Sequence, residues 1–358
     1  MNQQQTEISK IGEFGLIDRV TDGISLVNKS SLRGVGDDCA VLRYPDTDVL
    51  VSTDLLVEGI HFDLTYVPLK HLGYKAAVVN FSDIYAMNGH PRQITVSLAI
   101  SSRFTVEHIE ELYSGIRLAC EIYGVDLVGG DTTASRSGLV ISITAIGDAP
   151  ADRIATRSGA KPTDLICVSG DFGAAYMGLQ LLEREKTASV GQTDFQPQFQ
   201  GKEYLVERQL KPEARRDIIE NLEKAHIVPT SMIDVSDGLS SELLHICKAS
   251  GVGCRVYEDR IPIDYQTALM AEELNMNLVT AAMNGGEDYE LLFTVPLHAH
   301  EEIKKIPGVH VIGHITKPEL GEYLETRDGT EIPLRAQGFN HMAPTQDFTV
   351  DQSAETKA

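Results

Sequence analysis

The chain has 358 residues, which sets an expectation of about two domains and enough buried surface to fold without a disulfide or metal staple. Apolar residues at 42% and charged residues at 23% exclude a disordered, collagenous or coiled-coil chain. With 31 Lys and Arg against 52 Asp and Glu, the net charge of −21 excludes a protein that works by gripping nucleic acid or an anionic membrane surface, and it points to cations, or anions carried in with cations, as partners.

In chain order, Ile11, Phe14, Ile17 and Ile24 recur at helical spacing and predict a helix within residues 11–27. The glycine-punctuated turn Gly34-Val35-Gly36-Asp37-Asp38 follows. Residues 39–43 and 49–54 read as two strands joined through Pro45-Asp46, a β-hairpin. Pro68 opens a helical stretch to Met87, residues 93–101 read as a strand, and a helix from Val106 to Tyr123 is stopped by Gly124. Residues 125–128 and 139–146 complete a strand pair around Gly129-Gly130-Asp131-Thr132. Helices alternating with hairpins predict an α+β N-terminal domain over residues 1–150. The pattern breaks at Asp148-Ala149-Pro150-Ala151-Asp152, and a fresh strand at 164–169 opens a second domain, 151–342. Residues 191–201 form a Gln-rich loop with Pro197, and residues 343–358 a polar, unpatterned tail.

Cys39, Cys120, Cys167, Cys247 and Cys254 make no C-x-x-C spacing and read as reduced buried thiols, so a cytoplasmic setting is expected. Residues 1–11 lack a basic and apolar signal pattern, and no apolar run approaches the ~18 residues of a membrane span. Neither export nor insertion is expected.

Acidic residues gather where strands are expected to end and glycine turns to begin: Asp37 and Asp38, Asp54, Asp131, Asp234 and Asp237. Any one of them is more readily a helix N-cap or turn former, but six together point to a site. Asp83 differs, sitting in an apolar helical run one turn after Asn80, where a carboxylate needs a partner. Oxygen donors from Asp, Ser and Thr suit Mg²⁺, Mn²⁺ or Ca²⁺, whereas zinc would want His or Cys clusters that the chain lacks. There is no G-x-x-x-x-G-K-[ST] loop, no complete dinucleotide fingerprint and no G-x-S-x-G elbow. Gly129-Gly130 and Gly285-Gly286 either admit a ligand close to the backbone or form tight turns. The basic loop Arg157-Ser158-Gly159-Ala160-Lys161 reads either as a phosphate clamp or as a solvated surface loop.

Taken in order, Glu13-Phe14, Gly34-Val35-Gly36-Asp37-Asp38-Cys39-Ala40, Ser52-Thr53-Asp54 with His61, Asn80-Phe81-Ser82-Asp83, Gly129-Gly130-Asp131-Thr132, residues 156–162, residues 233–239 and Gly285-Gly286-Glu287-Asp288-Tyr289-Glu290 resemble the motif series of the thiamine-monophosphate kinase family. The resemblance runs from about residue 12 to about residue 339.

The resemblance implies an aminoimidazole ribonucleotide synthetase-like two-domain architecture: an α+β N-terminal domain, dimerising through its sheet, plus an α/β C-terminal domain. It implies a homodimeric phosphotransferase that makes thiamine diphosphate from thiamine monophosphate and ATP with magnesium. Position by position, Asp38, Ser52, Thr53, Asp54, Asp83, Asp131, Asp234 and Asp237 resemble the magnesium ligands. Gly130, Asp131, Arg157, Ser236 and Tyr113 would meet ATP, and His61, Glu287 and Phe339 the thiamine phosphate. No general base is expected, since the acceptor phosphate, with a second pKa near ~6, is mostly dianionic at pH 7. Selenophosphate synthesis is disfavoured because residues 1–14 lack a reactive Cys, and the hydrogenase-maturation activity because the chain ends Thr356-Lys357-Ala358 without a terminal cysteine. A non-enzymatic cation- or nucleotide-binding module remains the reading from another class.

Overall fold

The computed structural model describes residues 6, 16, 19–33, 41–45, 47–191 and 197–336. Its first strands, β1 (Ser31–Arg33) and β2 (Val41–Leu42), form a small antiparallel pair. β3 (Asp48–Val57) does not join them; every one of its residues pairs antiparallel with β6 (Leu139–Ala149). The hairpin expected of residues 39–54 is therefore corrected. A two-residue strand offers few ladder bonds, whereas β6 supplies a partner as long as β3 itself.

β4 (His90–Ile100) flanks β6, and β5 (Asp126–Ala134) runs parallel to β4, giving the order β3-β6-β4-β5. The strand pair expected of residues 125–128 and 139–146 is also overturned, since β4 lies between them. Gly129-Gly130-Asp131-Thr132 lies inside β5, not at a turn. A Cβ on Gly130 would stand 1.9 Å from the Val96 carbonyl oxygen, so this glycine serves the close approach of β5 to β4. Asp54 and Asp131 accordingly lie within strands, not at strand ends.

Two helices connect these strands: α1 (Leu69–Ala86), which begins after Pro68, and α2 (Val106–Tyr123), which ends at the left-handed Gly124. They pack on each other, and α1 also packs on β3, β4 and β6. The opposite face of the sheet is open along β3, where Val49, Val51 and Leu55 are exposed.

The second half supplies β7 (Leu165–Ser169), α3 (Ala174–Ser189), α4 (Glu203–Leu210), α5 (Arg216–Lys224), β8 (Ser231–Val235), α6 (Leu239–Ser250) and β9 (Gly253–Tyr257). It continues with α7 (Tyr265–Glu273), α8 (Leu278–Asn284), β10 (Glu290–Val295), α9 (His300–Ile303), β11 (Val309–Thr316), β12 (Glu322–Glu325) and β13 (Glu331–Pro333). The sheet order is β13-β12-β9-β11-β7-β10-β8, antiparallel except where β12 runs beside β9. β7, β8 and β10 are buried at every residue, because layers cover both faces of the sheet.

α1 joins the halves. It is buried nearly all round because β8 and α4 close the side that the first sheet leaves free. One hydrophobic cluster runs from Ile94 and Ile141 through Tyr74 and Phe81 of α1 to Cys167 and Phe293. Tyr74 and Tyr123 both donate to Glu213 Oε2 at 2.6 Å, tying α1 and α2 to the segment before α5. Cys120, Cys167, Cys247 and Cys254 are free and buried; Cys39 lies outside the described residues. Among the described residues, no helix is long and apolar enough to cross a membrane.

Candidate active site

Where α1 meets both β3 and β8, polar side chains replace the apolar packing. In β3, Ser52 and Asp54 share a face, and the Ser52 hydroxyl donates to Asp83 Oδ2 of α1. One turn earlier on α1, Asn80 accepts the Asp54 N–H at 3.1 Å and donates to the Ala76 carbonyl at 3.0 Å. Ser82 turns to the other sheet and donates to Asp234 Oδ2 of β8 at 2.7 Å. Three neighbouring positions of one buried helix therefore bind two sheets and bring Asp54, Asp83 and Asp234 together.

These carboxylates face a cavity of about 860 Å³, also lined by His61, Ser236, Asp237, Glu287 and Tyr289. Burial and the nearby Asp83 charge push Asp54 up to about 6. Burial and the charges of Asp83 and Asp54 push Asp234 up to about 7, against the Ser82 hydrogen bond. Asp83 is raised by burial, while the Ser52 hydrogen bond and the Arg157 charge pull it down. Glu242, in the first turn of α6, accepts the Asp237 N–H at 3.1 Å and is pushed up to about 8, chiefly by burial.

The opposite wall is the 285–289 turn. Gly286 is left-handed at φ 72°, and a Cβ there would stand 2.7 Å from the Ser236 carbonyl oxygen, so the turn sits directly on the end of β8. The Glu287 N–H donates to that carbonyl at 2.6 Å and the Tyr289 N–H to the Val235 carbonyl at 2.9 Å. Glu287 Oε2 accepts from Lys75 Nζ at 3.1 Å and from Gln209 Nε2 at 2.6 Å. His61 Nδ1 accepts the Val57 N–H at 3.0 Å, which places the proton of the neutral ring on Nε2.

Of the residues singled out in the sequence, the cavity gathers Asp54, His61, Asp83, Asp234, Ser236, Asp237 and Glu287, with Ser52 bound behind Asp83. Thr53 points to the other face of β3, where it donates to the Ile143 carbonyl and accepts from Thr144, each at 3.1 Å. Gly130 and Asp131 are exposed on β5 and do not line the cavity. Tyr113 is buried on α2, its hydroxyl pushed up to about 12 by burial, and likewise does not line it. Arg157 is on an exposed loop whose charge reaches Asp83. Asp38 and Phe339 lie outside the described residues.

Sequence reasoning passed over Lys75, Gln209 and Glu242, and named Tyr289 only within its motif. Lys75 carried a signal, a lysine amid the apolar residues 76–79, because such a charge is buried only with a partner. At the far end of the cavity, Lys186 of α3 pairs with Asp63 at 2.8 Å and Glu183 at 3.2 Å, and Tyr66 donates to Glu183 at 2.7 Å.

Among the described residues, no three His, Cys, Asp or Glu side chains are assembled as a ready metal site. The donor set still fits a hard cation. Carboxylate and hydroxyl oxygens crowd together at a cost that a cation would relieve, and Mg²⁺ typically takes only one or two carboxylates along with water and phosphate oxygens.

Residues 36–149 match the model of the AIR synthase related protein N-terminal domain, and residues 161–323 that of its C-terminal domain. Fold and cavity thus define an AIR synthase related protein. Thiamine-monophosphate kinases of Bacillus subtilis (strain 168) and Escherichia coli (strain K12) are each 34% identical to the chain, covering 92% and 93% of it and 99% and 98% of their own lengths. The chain belongs to the thiamine-monophosphate kinase family. Among solved structures, AaThiL complexed with AMPPCP and TMP matches with a TM-score of 0.72 at 31% identity, covering 95% of this chain and 100% of that one. The thiamine-monophosphate kinase of Stenotrophomonas maltophilia K279a matches with a TM-score of 0.75 at 28% identity, covering 90% and 98%.

Proposed function

We propose that the protein transfers the γ-phosphoryl group of ATP directly and in line to the phosphate of thiamine monophosphate, giving thiamine diphosphate and ADP, with several magnesium ions bound. The carrying observation is that Asp54, Asp83, Asp234 and Asp237 converge with His61 and Glu287 on one cavity, in a chain of this family. An acceptor oxygen bonds to the γ-phosphorus as the bond to the bridging oxygen breaks, and the electron pair leaves with ADP. A dianionic acceptor needs no proton removed, so no side chain serves as general base.

Bound magnesium would supply charge neutralisation and alignment of the phosphates; the residues proposed to hold it are Asp54, Asp83, Asp234 and Asp237, with Asp38, Ser52 and Asp131 from the resemblance, whereas the hydroxyl of Thr53, which the resemblance adds, turns to the other face of β3. Arg157 is proposed to stabilise charge on the moving phosphoryl group. Its loop is held at one point by the Ser250 hydroxyl, which accepts the Gly159 and Ala160 N–H groups, each at 3.2 Å, and donates to the Arg157 carbonyl at 3.3 Å.

His61 serves as a neutral donor through Nε2, its Nδ1 being occupied by the Val57 N–H. His61→Gln, whose amide reaches to the Nε2 position, should keep kcat/KM within about tenfold, while His61→Ala should lose roughly 10–100-fold, the worth of a hydrogen bond to a charged group. Equal losses in the two variants would remove this role. The exposed Val49, Val51 and Leu55 on the open sheet face support the expected homodimer; light scattering should give twice the chain mass, and a monomer at micromolar concentration would contradict it.

The deciding experiment mixes purified protein with Mg-ATP and thiamine monophosphate. Thiamine diphosphate and ADP should appear in equal amounts. ATP binding without turnover would instead make the chain a binding module.

A further inference from the structure

Asp288 lies between two residues that line the cavity, Glu287 and Tyr289, yet its own carboxylate turns inward and is only 1% exposed. There Oδ2 accepts the Gly173 N–H at 2.9 Å and Oδ1 the Ala175 N–H at 3.4 Å, at the start of α3. Arg208 of α4 stands 3.7 Å from Oδ1, and it donates to the Asp288 carbonyl at 3.3 Å and to Glu290 Oε1 at 3.0 Å. Glu290 is itself buried, accepting from Ser169 and Arg215 as well.

Two consequences follow from this placement. Glu287 and Tyr289 are non-glycine residues in the left-handed region, at φ 60° and 52°, and such a backbone persists only where its surroundings hold it. The Ser236 and Val235 carbonyls hold the turn from the β8 side, and the Asp288 carboxylate and Arg208 hold it from the other. The same carboxylate fixes the first turn of α3, and α3 carries Tyr176, Gln180, Glu183 and Lys186 along another wall of the cavity. One buried side chain thus sets the place of Glu287 and of the α3 wall together.

We infer that Asp288 is a positioning residue for the acceptor substrate, fixing the separation between Glu287 and the α3 wall and so the fit of thiamine monophosphate. This rests on the phosphorylation reading above. It goes beyond capping: a plain helix cap, removed, lowers stability and leaves the ratio of the two substrates' KM values alone.

The test measures KM for thiamine monophosphate, KM for ATP, kcat and Tm in the parent, Asp288→Ala and Asp288→Asn. Asp288→Ala should raise the acceptor KM by about tenfold while the ATP KM stays within about twofold. Asp288→Asn retains a capping oxygen and loses the attraction to Arg208, so the acceptor KM should rise about threefold. A fall in Tm with both KM values unchanged, or equal shifts in the two, overturns the inference. If Asp288→Ala does not fold, Asp288→Asn decides alone by the same criterion. A parent that fails to turn over thiamine monophosphate sinks the functional reading itself, an outcome visible before any variant is compared.

Discussion

Asp54→Asn should lower kcat by about two to three orders of magnitude and leave the metal-free protein at least as heat-stable as the parent. The substitution keeps the size of the side chain and the backbone N–H that donates to Asn80, so packing between β3 and α1 is unchanged. What it removes is one negative charge in a buried place, where Asp83 already repels it. Asp54 is held above its usual range first by burial and then by the Asp83 charge, and relieving that cost stabilises the fold while disabling the chemistry. A gain of about 1 kcal/mol corresponds to roughly 1–2 °C in Tm for a chain of this size. Steady-state kinetics and a melting curve in EDTA check both halves. A fully active variant removes Asp54 from the reaction, and a metal-free Tm several degrees lower shows that the carboxylate is structural. Asp131→Asn, on the exposed part of β5, is the companion variant: a matching loss of kcat would bring the open sheet into the same site.

Local signals in the chain were legible, and pairings between distant segments were not. α2, Val106–Tyr123, is legible to the residue, because its apolar spacing is regular and Gly124 stops it with chemistry that acts within one turn. β3 is legible as a strand but its partner is not, because its alternation says which face is buried and nothing about which of several strands lies alongside. Gly130 looked like a turn or a ligand contact, and only the position of Val96 on β4 explains it. The same division runs through the site. Asp54, Asp83, Asp234 and Asp237 stood out by type and motif, and they do meet. Lys75 was missed because the carboxylate that accounts for it, Glu287, is 212 residues further along the chain. The resemblance implies that Tyr113 meets ATP, but its place on α2 turns it into the core.

The rate should keep rising after every ATP is complexed, with a dependence on free magnesium steeper than first order. The charges set this expectation. Two unit charges ~4 Å apart at an effective dielectric of ~20 repel by about 4 kcal/mol, and here a triphosphate and a second phosphate must meet beside Asp54, Asp83, Asp234 and Asp237. The lysines that line the cavity among the described residues do not offset this. Lys75, 9% exposed, is committed to Glu287, and Lys186 to Asp63 and Glu183. Arg157 adds one positive charge near Asp83, which cannot balance several such repulsions. The cations carried in with ATP alone therefore leave the acceptor phosphate uncompensated against the aspartates. With ATP and thiamine monophosphate both fixed, initial rates measured while magnesium is raised from below to well above the ATP concentration distinguish the cases. A plateau at one equivalent per ATP would show that the side chains named here suffice on their own, and the need for additional magnesium would fall with it.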